Sequence, residues 1–199
     1  MSNLAYAYND GYTEPYKQEM LDGKIYSMAP PFVGHSRIAT KLCSAFDNYL
    51  KGKKCEVFME AGYVYLSKKD KVIPDIIVIC NPEIIKRNGF YGAPDLIIEI
   101  LSASTAKRDR TYKKDLYEKH GVGEYWIVDP KLFTIEIYLL QDEKYVLHDL
   151  HAWESEEMLE HSSEDDKANI QYEISPILFP DLVIKMEDIF GGWSLVYKF

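Results

Sequence analysis

The sequence predicts an α/β fold in which a mixed β-sheet is flanked by helices. Two stretches, 35–50 and 104–121, show helical spacing, and short apolar or alternating runs typical of strands lie between and after them. One apolar run, PDLIIEIL, is followed by the second helix and then by the strand-like EYWIVDP, an order that implies a parallel crossover. The strands before this unit have short connections, which favour antiparallel pairing.

Composition limits the class of protein. The chain has 199 residues, 47% of them hydrophobic, which fits one domain over 1–199 with a substantial core. Its net charge of −9 argues against a protein that coats nucleic acid non-specifically. No apolar run approaches the ~18 residues of a membrane span, and the N-terminus lacks the pattern of a signal peptide, so we expect a cytoplasmic protein. Cys43, Cys55 and Cys80 match no disulfide framework or zinc spacing and are predicted to be thiols.

The first half of the chain predicts one helix and several strands. LDGKIYSM is typical of a turn followed by a short strand that Pro30 and Pro31 end. The helix over 35–50 has an apolar face, and Gly52 ends it. CEVFMEAGYVYLS and VIPDIIVIC are predicted to be paired strands, NPEIIKRNGFYG a loop, and PDLIIEIL a third strand.

The second half continues with a helix that has Ser104 or Thr105 as its N-cap and ends at Gly121. EYWIVDP and FTIEIYLL are further strands, and KYVLHDLH forms a hairpin with the latter. Residues 153–167 carry seven acids against one lysine, which indicates an acidic surface insertion or, alternatively, a partner-binding segment. LFPDLVIKMEDIF then predicts a last strand and a short helical turn.

Two carboxylates in or beside buried strands are candidates for chemistry. Asp75 follows Pro74 at the start of an apolar strand, and Glu99 lies inside PDLIIEIL on the face that also presents Asp95, Ile97 and Leu101. If the two strands are neighbours, the acids meet, and a divalent cation such as Mg²⁺ would relieve their repulsion. The structural alternatives are a strand-end cap for Asp75 and an ion pair for Glu99.

The helix after Glu99 supplies a candidate cation. Between residues 106 and 120 six cations face three acids, a local charge of about +3, and a solvated helix face with local ion pairs explains most such runs. Lys113 differs because it lies at the rim of the buried stripe formed by Leu116 and Tyr117, from which it can reach the carboxylates. Two acids, a metal and an ammonium suit phosphodiester hydrolysis.

Pro74-Asp75 and the stretch PDLIIEILSASTAKRDRTYKKDLYEKHGVGEYWIVDP resemble the "putative restriction endonuclease" family of Uma type, within the PD-(D/E)xK nuclease superfamily. The likeness covers roughly residues 20–190 and implies a restriction-endonuclease-like core. It implies that Asp75 and Glu99 bind Mg²⁺ or Mn²⁺, with the backbone carbonyl of Ile100 as an extra ligand. Leu101 stands where the superfamily pattern has lysine, and the resemblance implies that Lys113 replaces it as the catalytic cation.

The resemblance implies an endonuclease that cuts nucleic acid, with DNA the expected substrate. The alternative is an inactive protein of the same fold that binds nucleic acid or a protein partner. His35 is a structural histidine or lies at the edge of the site, and Asp95 is an outer ligand or a strand-start residue. Lys24 stands where relatives often have Glu, and the oligomeric state is open, with a homodimer as one candidate. The cations expected to contact nucleic acid are Lys107, Arg108, Arg110 and Lys114.

Overall fold

The computed structural model describes residues 17–60, 62–154, 159 and 172–192; most of the predicted acidic insertion, 155–158 and 160–167, lies outside this range. None of the helices in the described ranges is long and apolar enough to span a membrane.

The helices are α1 (Val33–Leu50), α2 (Ala106–Arg108), a π-helical segment (Asp109–Lys113), α3 (Lys114–Lys119) and α4 (Met186–Phe190), with a 3₁₀ turn at Pro82–Ile84. The strands are β1 (Gln18–Leu21), β2 (Lys24–Ser27), β3 (Glu56–Met59), β4 (Val64–Tyr65), β5 (Lys71–Val72), β6 (Ile76–Ile79), β7 (Ile85–Lys86), β8 (Gly89–Tyr91), β9 (Leu96–Ile100), β10 (Glu124–Asp129), β11 (Thr134–Gln141), β12 (Lys144–Ala152), β13 (Glu173–Ile174) and β14 (Ile184–Lys185).

A large six-stranded sheet has the order β12–β11–β10–β9–β6–β3. Its β9 and β10 are parallel and the other neighbours are antiparallel. The crossover helix, residues 106–119 comprising α2, the π-helical segment and α3, connects the two parallel strands. The predicted α/β class and the crossover are confirmed. A smaller sheet of order β2–β1–β5–β4–β8–β7, which the sequence did not predict, accompanies the large one.

The large sheet buries both of its faces because β6 and β9 are apolar at nearly every position. Alternation along β6 sends Ile76 and Val78 to one face and Ile77 and Ile79 to the other. The first face packs on α1 and α4, and the second, here called the inner face, packs on the crossover helix and the small sheet. A carboxylate in the middle of the inner face, such as that of Glu99, is therefore shielded from bulk water.

The segment 81–92, predicted to be a loop, contains the 3₁₀ turn and the β7–β8 hairpin. The hairpin forms because Phe90 is apolar and packs against Phe58, with ring centroids 4.9 Å apart. CEVFMEAGYVYLS likewise divides between the sheets, with β3 pairing in the large sheet and β4 in the small one. Short strands with few apolar residues are not separable from loops by alternation alone, which explains the wrong prediction for 81–92.

The prediction that all three cysteines are thiols is wrong for two of them. Cys55 and Cys80 form a disulfide, and Cys43 is free. The two half-cystines flank the β3–β6 ladder, whose last pair is Glu56 opposite Ile79, so they face each other with Cα atoms 4.0 Å apart. Their separation of 25 residues conceals this register in the sequence.

Gly89→Ala should destabilise the protein because β8 passes very close to Tyr63. Gly89 has φ +138°, and a Cβ there would lie 2.4 Å from the Tyr63 carbonyl oxygen. We expect a loss of about 3 kcal/mol in the free energy of unfolding, from backbone strain plus the clash, measured by urea denaturation. The matched control is Gly52→Ala, at φ +75° with no atom within 4 Å of the added Cβ, which should cost about 1–2 kcal/mol. Equal losses for the two variants would contradict the close approach.

Candidate active site

Asp75 and Glu99 lie side by side where β6 and β9 begin to separate. The ladder pairs Ile76 with Ile98, and one further step in the same register places Asp75 opposite Glu99. The backbone N–H of Ile100 donates to Asp75 Oδ2 at 2.7 Å, and the predicted role of the Ile100 carbonyl as a metal ligand stays a prediction. Both carboxylates are buried. The structure brings the two predicted acids together, and their catalytic roles stay predictions.

Lys113 is a buried cation enclosed by carboxylates. Its ammonium donates to Glu99 Oε1 at 3.0 Å and lies 2.8 Å from Glu19 Oε1 and 3.7 Å from Asp109 Oδ1, while its side chain is only 2% exposed. The hydroxyl of Tyr117 donates to the same Glu99 oxygen at 2.6 Å. A buried charge needs such partners because desolvation costs several kcal/mol. These residues are called the Lys113 cluster: Lys113, Glu19, Glu99, Asp109 and Tyr117.

Burial and charge shift the acids and the base of this cluster. Burial lowers the pKa of Lys113, but attraction to Glu99, Glu19 and Asp109 outweighs it and raises that pKa above the ordinary value. Burial is the largest effect on Glu99 and Asp109 and raises the pKa of each, although Lys113 opposes the shift. The ammonium therefore stays charged at neutral pH and cannot accept a proton in catalysis.

The local structure of the crossover helix positions Lys113. The helix begins at Ala106 after Thr105, as predicted, and Gly121 follows its end with φ +80°. A π-helical segment runs from Asp109 to Lys113, and both of its terminal residues are buried. The wider turn places these two side chains together on the face that packs on the large sheet. Such π segments are frequent at functional sites.

A second cluster adjoins Asp75. His35 Nε2 lies 3.1 Å from Asp75 Oδ2, and ligand atoms of His35, Glu60 and Asp75 all lie within 4.8 Å of one another. Glu60 directly follows β3 in a left-handed conformation with φ +43°, and its N–H donates to the Asp75 carbonyl at 3.0 Å. A non-glycine residue held at positive φ is a feature of many functional sites. These three residues form the candidate metal site.

His35 is buried and contacts Asp75, as expected of a structural histidine, while its predicted role at the edge of the active site stays a prediction. Burial lowers its pKa, but the hydrogen bond and charge of Asp75, with smaller contributions from Glu60 and Asp109, outweigh burial and raise the pKa. Its Nδ1 is buried and has no hydrogen-bond partner among the described residues. A buried nitrogen without a partner is uncommon and is consistent with a group that binds a ligand.

Asp95 lies away from both clusters. Its Oδ2 accepts the backbone N–H of Cys80 at 2.6 Å, at the end of β6 opposite to Asp75. Of its two predicted roles, the contacts match the structural residue at the start of a strand.

Three of the four cations predicted to bind nucleic acid are engaged within the protein. Lys107, the fourth, is exposed. The contacts are those of Arg108 with Glu19 (3.9 Å) and the Tyr26 ring (4.4 Å), of Arg110 with Asp129 (3.2 Å) and Glu136 (2.9 Å), and of Lys114 with the Tyr138 ring (3.7 Å).

This arrangement of acids, imidazole and ammonium occurs in a chain whose residues 6–170 match the Uma2 family, described as "putative restriction endonuclease". The chain belongs to the Uma2 family. Two uncharacterized Synechocystis proteins are similar: slr1290 is 32% identical over 64% of this chain and 68% of its own length, and sll1609 is 24% identical over 67% and 78%. A crystal structure described as a putative nuclease of DUF820 from Anabaena variabilis has the same fold, with a TM-score of 0.67, 23% identity, and coverage of 89% of this chain and 93% of that one.

Sequence reasoning missed two acids of this Uma2 chain, Glu19 and Glu60. Glu19 is 1% exposed and accepts the N–H of Ile73 at 2.9 Å in addition to its contact with Lys113. Its alternation with Leu21, which faces the same core, is the signal that could have found it. Glu60 carries only a weak signal, an acid that ends an apolar strand two residues before a glycine.

Lys113→Met should lower the free energy of unfolding by about 3–5 kcal/mol, because it leaves buried carboxylates without a counter-charge. Adding Glu99→Gln should recover part of the loss, so the double variant loses less than the sum of the single variants. Urea denaturation near pH 7 measures both. Lys114→Met is the control and should cost about 1 kcal/mol or less, since that ammonium lies over a tyrosine ring and is not enclosed by buried carboxylates. Strict additivity in the double variant would contradict the coupling.

Glu99 should make stability fall as pH rises. Its pKa is raised in the folded protein, so the folded state keeps a proton that the unfolded state loses. This stabilising contribution is complete below the ordinary pKa near 4.5 and is lost as pH rises through the folded-state value. We expect Glu99→Gln to flatten the decline in unfolding free energy above about pH 5.

Glu118→Gln is the control for this measurement. Its hydrogen bond from Lys144 lowers the pKa of Glu118, so its contribution is present above the ordinary pKa and lost as pH falls. The difference in unfolding free energy between wild type and Glu118→Gln, plotted against pH, should therefore slope in the opposite direction to the difference between wild type and Glu99→Gln. Parallel pH curves for wild type and Glu99→Gln would contradict a raised pKa at Glu99.

Proposed function

We propose that this Uma2 protein is an endonuclease that uses a divalent cation to hydrolyse phosphodiester bonds in DNA. The observation that carries the proposal is the convergence of His35, Glu60 and Asp75 within 4.8 Å, beside the buried Lys113 cluster, in a chain of this family. Asp75 connects the two clusters because it contacts His35 and continues the register that faces Glu99.

The donor set fits a divalent metal ion, which would replace the Lys17 ammonium as the partner of the Glu60 carboxylate. Two carboxylates suit Mg²⁺ or Mn²⁺, and imidazole adds a nitrogen ligand that Mg²⁺ seldom uses, so the set fits Mn²⁺ better. The unpartnered buried Nδ1 of His35 leaves that ring with bonding capacity that the described residues do not use. Glu60, Asp75 and His35 would hold the ion; Glu99 stays a predicted further ligand. A bound ion would supply a water of lowered pKa and neutralise phosphate oxygens.

The chain's own residues prepare this chemistry. The Ile100 amide fixes the Asp75 carboxylate, and Glu60 is held against the Asp75 backbone. Lys113 remains protonated because its pKa is raised, so it stabilises negative charge and does not act as a base.

One observation favours the second candidate, an inactive protein that binds nucleic acid or a partner. The Lys113 ammonium lies within 4 Å of carboxylates of Glu19, Glu99 and Asp109, which reduces its attraction for a phosphate. Both candidate functions use the same fold, and only the endonuclease cleaves nucleic acid.

Purified protein incubated with supercoiled plasmid and Mn²⁺ should nick it, and Asp75→Asn and Glu60→Gln should each reduce the rate by at least about 100-fold. Calorimetry should show Mn²⁺ binding to wild type and much weaker binding to both variants. Glu173→Gln, an exposed acid on β13, is the matched control and should keep both properties. Mn²⁺ binding without any cleavage supports the second candidate, and absence of Mn²⁺ binding overturns the proposed metal site.

A further inference from the structure

The outer face of the small sheet presents a row of tyrosines and a lysine. The register pairs Met20 with Lys71, Lys71 with Tyr65, and Tyr65 with Tyr91, so these side chains share one face. The neighbouring residues Val64, Val72 and Phe90 point to the opposite face and are buried in the core. Glu19, next to Met20, also points inward, so this surface is separate from the Lys113 cluster.

The tyrosines of this face are ordered by mutual contact. The rings of Tyr65 and Tyr91 stack with centroids 4.4 Å apart and an interplanar angle of 14°. The Lys71 ammonium lies 3.4 Å from the centroid of Tyr63 and 5.4 Å from that of Tyr65. Tyr91 is nevertheless 49% exposed, which is high for an aromatic ring that already stacks on a neighbour. The stack therefore ends in a ring that is held in place and open to solvent.

The β7–β8 hairpin places free cations beside that ring. A depression of about 420 Å³ is lined by Lys86, Arg87, Asn88 and Tyr91. Lys86, Arg87 and Asn88 are exposed, and no residue in the described ranges forms an ion pair with either cation. In a protein of net charge −9, two uncompensated cations next to an exposed ring form a local site for an anion that carries an aromatic group.

We propose that this surface, the hairpin patch formed by Lys86, Arg87, Asn88 and Tyr91, binds a nucleotide of single-stranded DNA outside the catalytic site. The base stacks on Tyr91, Lys86 and Arg87 contact the phosphates, and the Asn88 amide is available to the base edge. Stacking on an open ring requires an unpaired base, which is why the patch fits a single strand better than a duplex. The inference rests on the proposed function, because it takes nucleic acid as the ligand. It adds that the nucleic acid is held at the hairpin patch and as a single strand.

Fluorescence anisotropy with a labelled 15-nucleotide oligo-dT, in EDTA so that no cleavage occurs, tests the patch. We expect Tyr91→Leu to raise the Kd at least about fivefold, since stacking of a base contributes about 1–3 kcal/mol, and Tyr91→Phe to bind like wild type. Lys86→Ala/Arg87→Ala should raise the Kd and reduce the slope of log K against log salt by about 1.4, the value for two phosphate contacts with a single strand.

Lys51→Ala/Lys53→Ala is the matched control. It removes the same charge at the end of α1, where Lys53 also covers a tyrosine ring, and should leave the Kd within about twofold of wild type and the salt slope unchanged. Three results with the variants would overturn the proposal: a rise in Kd in the control equal to that in the hairpin variants, an unchanged Kd in the hairpin variants, or the same rise in Kd for Tyr91→Phe and Tyr91→Leu. Tighter binding of a 15-base-pair duplex than of oligo-dT would also overturn it. Thermal unfolding of every variant separates loss of binding from loss of folding.

Failure of the patch and failure of the nuclease function give different results. Oligonucleotide binding that depends on the patch, without plasmid cleavage in Mn²⁺, supports the patch and overturns the nuclease. Cleavage by wild type together with unaltered binding in the hairpin variants supports the nuclease and overturns the patch.

Discussion

The ion pairs of Lys113 hold three parts of the fold together. Glu19 belongs to β1 of the small sheet, Glu99 to β9 of the large sheet, and Lys113 to the crossover helix between β9 and β10. Each of these acids would repel the other in a medium of low dielectric, and each would pay a desolvation cost alone. Because one ammonium contacts both, the packing of the small sheet and the helix on the inner face of the large sheet depends on it.

The acid pair Asp75 and Glu99 was within reach of the sequence because both lie in or beside strands with a strong apolar pattern. Such strands fix their own register, and the register fixes which side chains meet. The crossover was predictable for the same reason, since one helix of sufficient length separates β9 from β10. Glu19 lies in a strand of four residues, where its alternation with Leu21 is a short signal, and Glu60 lies just beyond the end of β3, where alternation does not apply. Glu19 contacts Lys113, which is 94 residues away, and Glu60 lies beside Asp75, which is 15 residues away. No local pattern in the sequence reveals either contact.

The cations show a similar limit of local reasoning. The sequence places its densest positive charge on the crossover helix, yet that helix packs beside strands that present acids, so Arg108, Arg110 and Lys113 form ion pairs within the protein, of which only that of Lys113 is fully buried. The positive charge of a surface depends on which cations lack an acidic partner within the protein. The number of cations in a stretch of sequence does not reveal this. Lys86 and Arg87 stand in a segment that the sequence analysis treated as a loop, and the hairpin makes them accessible by carrying them at the turn of two short strands.

The position of an ammonium, more than its place in a motif, determines what a lysine can do at this site. Leu101 stands where the superfamily pattern has lysine, and it is 4% exposed within the apolar cluster of the inner face. Lys113 brings an ammonium to within 3.0 Å of Glu99 from the helix, so a lysine lies beside the buried acid in space although it is absent from the motif position. Glu19 and Asp109 contact the same ammonium and hold it in the interior of the protein. A phosphate would have to compete with these carboxylates for Lys113, and protons on Glu99 and Asp109, whose pKa values burial raises, would weaken that competition. In the proposed nuclease, the protonation of these buried acids, together with the presence of the lysine, would therefore determine how much positive charge Lys113 offers to a phosphate.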